Sequence, residues 1–368
     1  GLLLPDGKPR RLHGEAGLLK SLGELVSDDG GVFSRSPSAQ VQAISLLIDL
    51  RACYAAVKRQ PPAALDALLS LMVPALLSLR MGDMGLGSWQ GGAAIDDASL
   101  DALIVASNVR ARPMLESRQW GYQRVKARHG VLVMDAAPPP RPRHARQGSA
   151  STLAFELSHK NQRIVVNCGG SELAGALVPA RIEQGLRGTS AHSTLVLDEA
   201  NSTAVLLNGQ IGKGVEEVDF TREAVHQGGR RATKLEAAHN GYVARYGLRH
   251  RRILMLSDDG SELRGEDVLE PSGKQGKRGK VGFAIRFHLG LGIEARLTDD
   301  GMGAHLALPD ASYWQFRLAS VSGEAHCTLE DSLWVDGHGR PHGVQQIVVE
   351  GMAARGGERF PWLLKKMG

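Results

Sequence analysis

Three side chains of this sequence, His192, His239 and Tyr242, are of types that exchange protons in catalysis. Imidazole and phenol groups suit general acid–base work because burial and neighbouring groups tune their protonation states. His192 follows Ala191 just before an apolar run, so an equal alternative is that it satisfies a turn or the sheet surface. His239 and Tyr242 lie at a turn–strand junction, where a tyrosine commonly packs its ring and hydrogen-bonds its hydroxyl. The sequence leaves chemical and structural roles open for all three.

Three further residues could contact a ligand. Trp89 lies in the glycine-rich loop Gly82–Gly92, and its ring face complements the C–H face of a pyranose; the alternative is an apolar anchor for the loop. Arginines bind carboxylates in bidentate fashion, which makes Arg110 and Arg245 candidates, although solvated arginines are the commoner case. In a regular strand, Arg245 would face away from Tyr242, because the two are an odd number of residues apart.

Composition limits the classes of function. The 368 residues are enough for two domains, and 42% hydrophobic with 23% charged residues is normal for a globular protein. A net charge of +5 suits an acidic polymer, either nucleic acid or a uronic-acid polysaccharide. The basic segment Lys274–Lys280 has no interleaved aromatics, which argues against a nucleic-acid platform. Apolar stretches such as Leu68–Leu79 are too short to cross a bilayer.

Known catalytic and metal motifs are absent from the sequence. Gly209–Gly214 lacks the glycine spacing of a phosphate-binding loop, and neither Gly-x-Ser-x-Gly nor His-Glu-x-x-His occurs. Cys53, Cys168 and Cys327 have no Cys-x-x-Cys spacing. We interpret them as buried thiols, because a sparse and odd set is neither a disulfide framework nor a zinc module.

The elements that must position these residues fall into two halves. Residues 1–120 show helical periodicity, as in Ala39–Val57 after Pro37 and in Ala63–Arg80, where Pro74 predicts a kink. From residue 121, short apolar or period-two runs alternate with Gly, Asn and Asp turns. They include Thr203–Leu207 and Gly241–Tyr246, which we expect to be strands. The pattern predicts segregated α and β regions, the second a two-sheet sandwich.

Several segments resemble signatures of the heparinase II/III family, in order along almost the whole chain. They are Asp29-Gly30-Gly31 with Arg35-Ser36-Pro37, Gly121-Tyr122 with Val133-Met134-Asp135, Leu153–Glu156 with Val165–Gly169, Gly188–Leu195, and Ala238–Tyr242 with His250-Arg251-Arg252. The resemblance implies an α+β fold: the C-terminal part of an (α/α) toroid in residues 1–120, then a large antiparallel β-sandwich in residues 121–368. Most of the toroid is missing on the N-terminal side, so we expect a fragment or a processed form.

The family resemblance also implies a chemistry, the cleavage of acidic polysaccharides by β-elimination. A protein group neutralises the uronate carboxylate, a base removes the C5 proton, and an acid protonates the leaving oxygen at C4. His192 is then the leading candidate for this work, with His239 and Tyr242 behind it. The expected partner is an acidic polysaccharide in the cleft between toroid and sandwich, with no cofactor, in the bacterial periplasm or cell envelope. The sequence names neither the glycan nor the oligomeric state.

The sequence departs from the family where catalysis would occur. Family lyases carry a Tyr, often followed by His, just after the Ser-Pro turn, where this chain has Ala39 and Gln40. Their histidine motif before the Leu-Ser-Phe segment corresponds to Gln147–Thr152, which contains no histidine; His144 is the nearest. The alternative function is therefore a degenerate relative that binds glycan or assists envelope polysaccharide metabolism. A further possibility is that only a longer chain is active.

Some members of the family hold zinc with His, Asp and His. The corresponding positions here are Ser149, Asn167 and His192. One ligand of three cannot hold a structural zinc, so we predict no metal at this place.

Overall fold

The helical part of the protein comes first in the chain. A computed structural model describes residues 2, 6–92, 94–114, 116–144, 148–170, 172, 179–227, 229–273, 279–319 and 325–368. Gln147 and most of the basic segment at 274–280 lie outside these ranges. The first four helices are α1 (Lys8–Leu25), α2 (Pro37–Ala56), α3 (Ala63–Leu77) and α4 (Asp97–Ser107). Four helices are too few to close a toroid, and α3 continues through Pro74.

Local signals set where these helices begin. The Ser36 hydroxyl accepts a hydrogen bond from the Ala39 backbone N–H at 3.3 Å, and Pro37 occupies the first turn of α2. The Asp96 carboxylate accepts from the Ser99 N–H at 2.8 Å and caps α4 in the same way. The Ser36 cap fixes the end of the segment between α1 and α2, which the site described below depends on.

The rest of the described chain is mostly strand, with two short helices. The strands are β1 (Tyr122–Lys126), β2 (Gly130–Asp135), β3 (Phe155–His159), β4 (Gln162–Val166), β5 (Leu195–Leu197), β6 (Val218–Gln227), β7 (Arg230–His239), β8 (Leu248–Ser257), β9 (Glu262–Pro271), β10 (Lys280–Leu289), β11 (Glu294–Leu297), β12 (Gly303–Ala307), β13 (Tyr313–Leu318), β14 (His326–Val335), β15 (Pro341–Ala354) and β16 (Glu358–Lys366). The short helices are α5 (Ala180–Gly185) and α6 (Val243–Tyr246).

The strands form two antiparallel sheets. Sheet 1 has the order β1-β2-β3-β4-β10-β15-β14, with β5 also paired to β10. Sheet 2 has the order β11-β12-β13-β16-β9-β8-β7-β6. A helical segment followed by a two-sheet antiparallel sandwich confirms the predicted fold class.

The two faces of strand β2 pack against different parts of the protein. Leu132 and Met134 point into the core between the sheets, whereas Val131 and Val133 pack against the helices. All six residues of β2 are buried, which explains why Gly130–Asp135 is a nearly continuous apolar run.

The Asp-Gly-Gly motif joins the helices to the start of the sandwich. The Asp29 carboxylate accepts hydrogen bonds from the backbone N–H groups of Gln119 and Trp120 at 2.9 and 3.1 Å. Gly30 has a φ of +83°, and a Cβ on Gly31 would lie 2.1 Å from the indole Cγ of Trp120. Glycine is required at both places, one for the backbone conformation and one for the close approach of the ring.

Two predicted strands are wrong. Residues 203–207 form only an isolated bridge, Val205 with Ile211, because a turn closes the segment at once. The predicted strand Gly241–Tyr246 is a turn followed by α6, which ends at Gly247 in the left-handed conformation with a φ of 68°. Arg245 therefore does not follow strand geometry relative to Tyr242.

Candidate functional site

Arg35 connects the helical segment to the sandwich. It is 4% exposed and sits in the left-handed region with a φ of 56°. Its guanidinium donates to the Trp120 carbonyl at 2.8 Å, the Pro138 carbonyl at 2.9 Å and Asp135 Oδ1 at 2.5 Å. Burial alone would lower the pKa of Arg35, but the Asp135 carboxylate raises it overall. Arg35 is thus a charged residue with a buried counter-ion at the junction.

A hydrogen-bond network extends from Asp135 along the same junction. Asp135 Oδ2 accepts from the Ser151 hydroxyl at 2.7 Å, and Ser151 Oγ accepts from Gln90 Nε2 at 2.8 Å. Gln90 Oε1 in turn accepts from the backbone N–H of Ser149 at 2.8 Å. Gln90 and Ser149 are each 1% exposed. The place of the family's histidine is therefore part of a buried polar layer, away from solvent.

Glu156 is the one carboxylic acid of this layer whose pKa is strongly raised. Its Oε1 accepts from the backbone N–H groups of Ser88 and Asn167 at 2.9 and 3.2 Å. Burial raises its pKa to about 6, against the lowering influence of Arg163 and these hydrogen bonds. The residue is 0% exposed, so no substrate reaches it in this structure.

Gln40 has a structural role. It is 0% exposed, and its Oε1 accepts from the Val32 N–H at 2.8 Å. Its Nε2 donates to the carbonyls of Gly30 and Met72 at 2.7 and 3.0 Å. With its amide fully used in holding the Asp-Gly-Gly turn against α3, Gln40 has no group left for a ligand.

His192 is buried and neutral. It is 3% exposed, and its Nδ1 lies 2.8 Å from the Gly188 carbonyl oxygen. Since a carbonyl only accepts, Nδ1 carries the proton of the neutral ring. Burial lowers the pKa of His192 to about 4, although the Gly188 hydrogen bond and Asp135 act in the opposite direction. His192 can accept a proton only weakly and does not carry one to donate as imidazolium near pH 7.

His239 belongs to a buried relay inside sheet 2. His239 Nδ1 accepts from the Gly241 N–H at 3.0 Å, so its Nε2 donates to His250 Nδ1 at 3.3 Å. His250 Nε2 then donates to Asp267 Oδ1 at 2.7 Å. Asp267 is also paired with Arg252, which donates to two carbonyls of the sheet 1 side. Both histidines are 0% exposed, and burial lowers the pKa of each. The geometry favours a role in holding the sheets together.

Tyr242 and Trp89 are also enclosed. The Tyr242 hydroxyl donates to the Leu195 carbonyl at 2.9 Å, and burial raises its pKa far above the ordinary value. The Trp89 ring packs 5.3 Å from the ring of Tyr122. Each of Trp89 and Tyr242 is 1% exposed, so neither presents a surface to a sugar. The structure matches the anchoring alternative for Trp89.

The two predicted arginines do not converge on the buried layer. Arg245 is exposed, and its guanidinium lies over the ring of Tyr246 at 5.2 Å. Arg110 is exposed on the chain between α4 and β1. The six predicted site residues therefore do not form one accessible cluster.

An open cleft lies at the edge of the buried layer. It has a volume of about 680 Å³ and is bounded by Phe33 and Arg35, by the connector 137–144, and by the segment 203–216. His144 stacks on Phe33 with ring centroids 5.6 Å apart and planes at 30°. Arg143 Nε donates to His144 Nε2 at 2.9 Å. Burial, Arg143 and Arg141 together lower the pKa of His144, which leaves the ring neutral near pH 7.

The charge of this cleft comes from exposed guanidinium groups. Arg141 and Arg143 are exposed at its mouth, while Glu216 is the carboxylate on the opposite wall. An aromatic pair beside two solvent-facing guanidiniums can stack a sugar ring and pair with its acidic substituent.

Comparison with protein families identifies the family to which this chain is related. The C-terminal model of the heparinase II/III-like family matches residues 109–363. The chain belongs to this family. The match begins between α4 and β1 and ends within β16, the last strand.

This heparinase II/III-like chain is also similar to individual proteins in sequence or in structure. FtsZ-localized protein C from Caulobacter vibrioides is 27% identical over 363 residues, which are 95% of this chain and 60% of that protein. The heparan sulfate lyase HepC mutant from Pedobacter heparinus superposes with a TM-score of 0.75 at 16% identity, over 98% of this chain and 57% of that one. A heparinase III superposes with a TM-score of 0.75 at 15% identity, over 98% and 56%. The chain thus spans less than two thirds of each relative, and the structural matches show the fold alone.

The residues at the family's zinc positions do not fit a zinc ion. Asn167 Oδ1 accepts from the Ser193 N–H at 3.0 Å, and its Nδ2 donates to Glu156 at 3.2 Å. Ser149 offers only a neutral hydroxyl, which leaves His192 as the one good ligand. Across the described part of the chain, no group of three or more His, Cys, Asp or Glu side chains is arranged to hold a metal.

The residues of the open cleft were not predicted from the sequence of this heparinase II/III-like chain. His144 entered only as the histidine nearest to Gln147–Thr152. The signal that could have found the cleft was the run Arg141, Arg143 and His144 directly after the prolines. Phe33 carried no such signal, because its contact with His144 joins distant parts of the chain.

Proposed function

We propose that this heparinase II/III-like chain binds an acidic glycan in the open cleft and does not cleave it. The observation that carries the proposal is the contrast between cleft and buried layer. Arg141, Arg143 and the Phe33–His144 pair face solvent in a cleft of about 680 Å³. The predicted proton-transfer residues His192, His239 and Tyr242 are each 3% exposed or less.

Elimination needs a base within hydrogen-bond reach of the C5 proton and an acid at the leaving oxygen. His239 uses both ring nitrogens within the protein, and the Tyr242 hydroxyl donates to Leu195. His192 is a weak base with a pKa of about 4 and no open approach. Ala39 supplies no phenol where family lyases carry tyrosine. These facts favour the hypothesis of a degenerate relative that binds glycan over the hypothesis of an active lyase.

Binding needs less than catalysis. A cavity of about 680 Å³ lies within the roughly 300–1,000 Å³ range of small-ligand sites. Exposed guanidiniums pair with carboxylate or sulfate groups, and the stacked rings offer an apolar face to a pyranose. The ligand class that follows is a uronic-acid-containing or sulfated oligosaccharide. We further propose that the chain has two structural units that meet at the cleft. Residues 1–120 are the C-terminal part of an (α/α) toroid, and residues 121–368 are the antiparallel β-sandwich domain.

A second candidate function comes from one relative. FtsZ-localized protein C matches 95% of this chain at 27% identity. On that basis we propose, as an alternative to glycan binding, that this chain localises with FtsZ. No helix among the described residues is long and apolar enough to span a membrane. Residence in the periplasm or cell envelope remains part of the first proposal.

The two proposals separate in one set of measurements. Calorimetric titration with heparan sulfate and hyaluronan oligosaccharides should give binding to the parent protein, and Arg141→Ala with Arg143→Ala should weaken it. Arg245→Ala is the matched control, because Arg245 is exposed away from the cleft. Ultraviolet absorbance of an unsaturated uronate that increases with protein concentration would instead support lyase activity. Fluorescence imaging of a tagged chain during division tests the second candidate.

A further inference from the structure

Four polar side chains form a row across the outer face of sheet 2, on the strands β11, β12, β13 and β16. Strand pairing puts them opposite one another in register: Arg296 with His305, His305 with Gln315, and Gln315 with Lys365. Residues directly opposite in antiparallel strands point to the same face of the sheet. Arg296, His305 and Lys365 are exposed and Gln315 is half-buried, so this face is the one that meets solvent. We call these four residues the outer row.

The side chains of the outer row are available to a ligand. No hydrogen bond or ion pair engages any of them within the part of the chain that the structure describes. Glu262 stands opposite Lys365 on β9, but its carboxylate accepts from Arg264 at 2.6 Å. Glu294 is exposed two residues before Arg296, and therefore lies beside the outer row and not in it. The outer row thus carries two unpaired cations, one at each end.

Tyr313 adds an aromatic surface beside the outer row. It precedes Gln315 by two residues on β13, so both side chains point to the same face. Tyr313 is 62% exposed, and no other aromatic ring of the described residues contacts it. A single exposed tyrosine is ordinary for a protein surface. Next to two unpaired cations, however, its ring gives a sugar a surface for stacking that a purely charged patch does not have.

The order of these groups suits a linear acidic oligosaccharide. Neighbouring strands lie about 4.8 Å apart, close to the advance of one sugar unit along an extended glycan. A glycan that crosses the strands therefore places about one unit over each strand, and Arg296 and Lys365 can pair with its carboxylate or sulfate groups. Between them, the Gln315 amide and a neutral His305 imidazole each offer a donor and an acceptor, which matches sugar hydroxyl groups. A phosphodiester backbone offers only acceptors, so nucleic acid fits the middle of the row less well.

We infer that the outer row and Tyr313 form a surface site for a linear acidic glycan, in addition to the cleft. The cleft lies elsewhere, because none of the described residues that line it belongs to β11, β12, β13 or β16. This inference takes its ligand class from the proposed function and its place from the outer face of sheet 2. A disaccharide covers about two strands and cannot reach both cations, so the outer row requires a longer glycan than the cleft does.

The test is calorimetric titration of the full chain with heparan sulfate oligosaccharides of two lengths. A disaccharide should bind with one equivalent, in the cleft, and a hexasaccharide with two. The cleft variant, Arg141→Ala with Arg143→Ala, should leave one hexasaccharide site. Adding Arg296→Ala and Lys365→Ala to the cleft variant should weaken this remaining site at least about tenfold, because two charge-assisted contacts are lost.

Two further sets of variants separate the outer row from a general effect of charge. Arg359→Ala removes an exposed arginine from the same face of β16, six residues before Lys365, and should leave the remaining site unchanged. Tyr313→Ala should weaken the remaining site several-fold, whereas Tyr313→Phe, which keeps the ring, should retain most of the affinity.

The outcomes distinguish this site from the cleft. Hexasaccharide binding with one equivalent that the cleft variant abolishes overturns the surface site alone, and so does a remaining site that is insensitive to Arg296→Ala with Lys365→Ala. Hexasaccharide binding that only the outer-row replacements remove supports the surface site and overturns the cleft. Single-stranded DNA that displaces the hexasaccharide from the remaining site at equal concentration overturns the assignment to a glycan. No binding at either length overturns both proposals.

Discussion

Replacing Arg35 with methionine should loosen the junction between helices and sandwich more than any surface change. Arg35 is 4% exposed and donates to Asp135, Trp120 and Pro138. Methionine has a similar length but no donor. The substitution leaves the left-handed backbone at this position as it is, so the result reports the lost interactions.

The size of the expected loss of stability follows from the buried groups that lose their partner when Arg35 is replaced. Removing one partner of a buried ion pair costs about 3–5 kcal/mol, because the other charge stays buried. The Trp120 and Pro138 carbonyls each lose a donor, which adds about 1 kcal/mol apiece. Asp135 keeps the Ser151 hydroxyl at 2.7 Å, which reduces the loss. We expect the free energy of unfolding to fall by about 4–5 kcal/mol.

Urea unfolding followed by tryptophan fluorescence measures this change, because Trp120 is buried at the junction. Arg35→Met combined with Asp135→Asn should recover about 2 kcal/mol, since the stranded charge is then gone. Arg264→Met removes an exposed pair with Glu262 and should change the stability by less than about 1 kcal/mol. A loss below about 1 kcal/mol for Arg35→Met, or a double variant no more stable than the single one, would refute the reasoning.

Three further predictions follow from the same contacts. Acid should destabilise the fold, because burial lowers the pKa of several histidines in the folded protein. As the pH falls, the unfolded chain therefore binds protons more readily than the folded chain. These histidines are His159, His192, His239, His250 and His288. The stability that these neutral histidines contribute is fully present above about pH 6.5, and it is lost as the pH falls toward their pKa values in the folded protein, such as about 4 for His192. The free energies of unfolding at about pH 7.5 and 5.5 should therefore differ by roughly 4 kcal/mol. Glu156 acts in the opposite direction, because its raised pKa of about 6 makes the folded protein bind one proton more readily than the unfolded chain. Equal urea midpoints at the two pH values would count against these histidine pKa shifts. Arg252→Met should cost about 3–5 kcal/mol in the same unfolding assay, because it leaves Asp267 buried without its guanidinium, and a neutral result would show that the inter-sheet network is dispensable. Arg141→Ala together with Arg143→Ala should weaken oligosaccharide binding at least about tenfold and reduce its salt dependence, whereas unchanged titrations would move the binding site elsewhere.

Much of the fold could be predicted because its signals are local. The helical periodicity of Ala39–Val57 and Ala63–Arg80 predicted two helices, and the structure has α2 and α3 in these segments. The segment Gly241–Tyr246 was misassigned because a short apolar run of this length does not separate a strand from one helical turn. What decides it is Gly247, whose left-handed conformation ends α6.

The site was harder to predict because its contacts are long-range. His239 contacts His250 on a neighbouring strand of sheet 2, and His250 in turn contacts Asp267 on the next strand, so no local pattern reveals this buried chain of contacts. Burial of Trp89 against Tyr122 depends in the same way on the helices packing over sheet 1. The chain's departures at Ala39, Gln40 and Ser149 were visible in sequence, and they are one basis for the proposal that this chain does not carry out the family's chemistry.

The central claim is that the cleft binds an acidic glycan and leaves it intact. Proton NMR of a heparan sulfate oligosaccharide with the purified chain tests both halves at once. Saturation transfer from protein to sugar reports binding, and an olefinic H4 signal reports elimination. We expect transfer to the sugar protons, its loss in the Arg141→Ala, Arg143→Ala variant, and no olefinic signal after prolonged incubation. An olefinic signal that grows with protein concentration would contradict it.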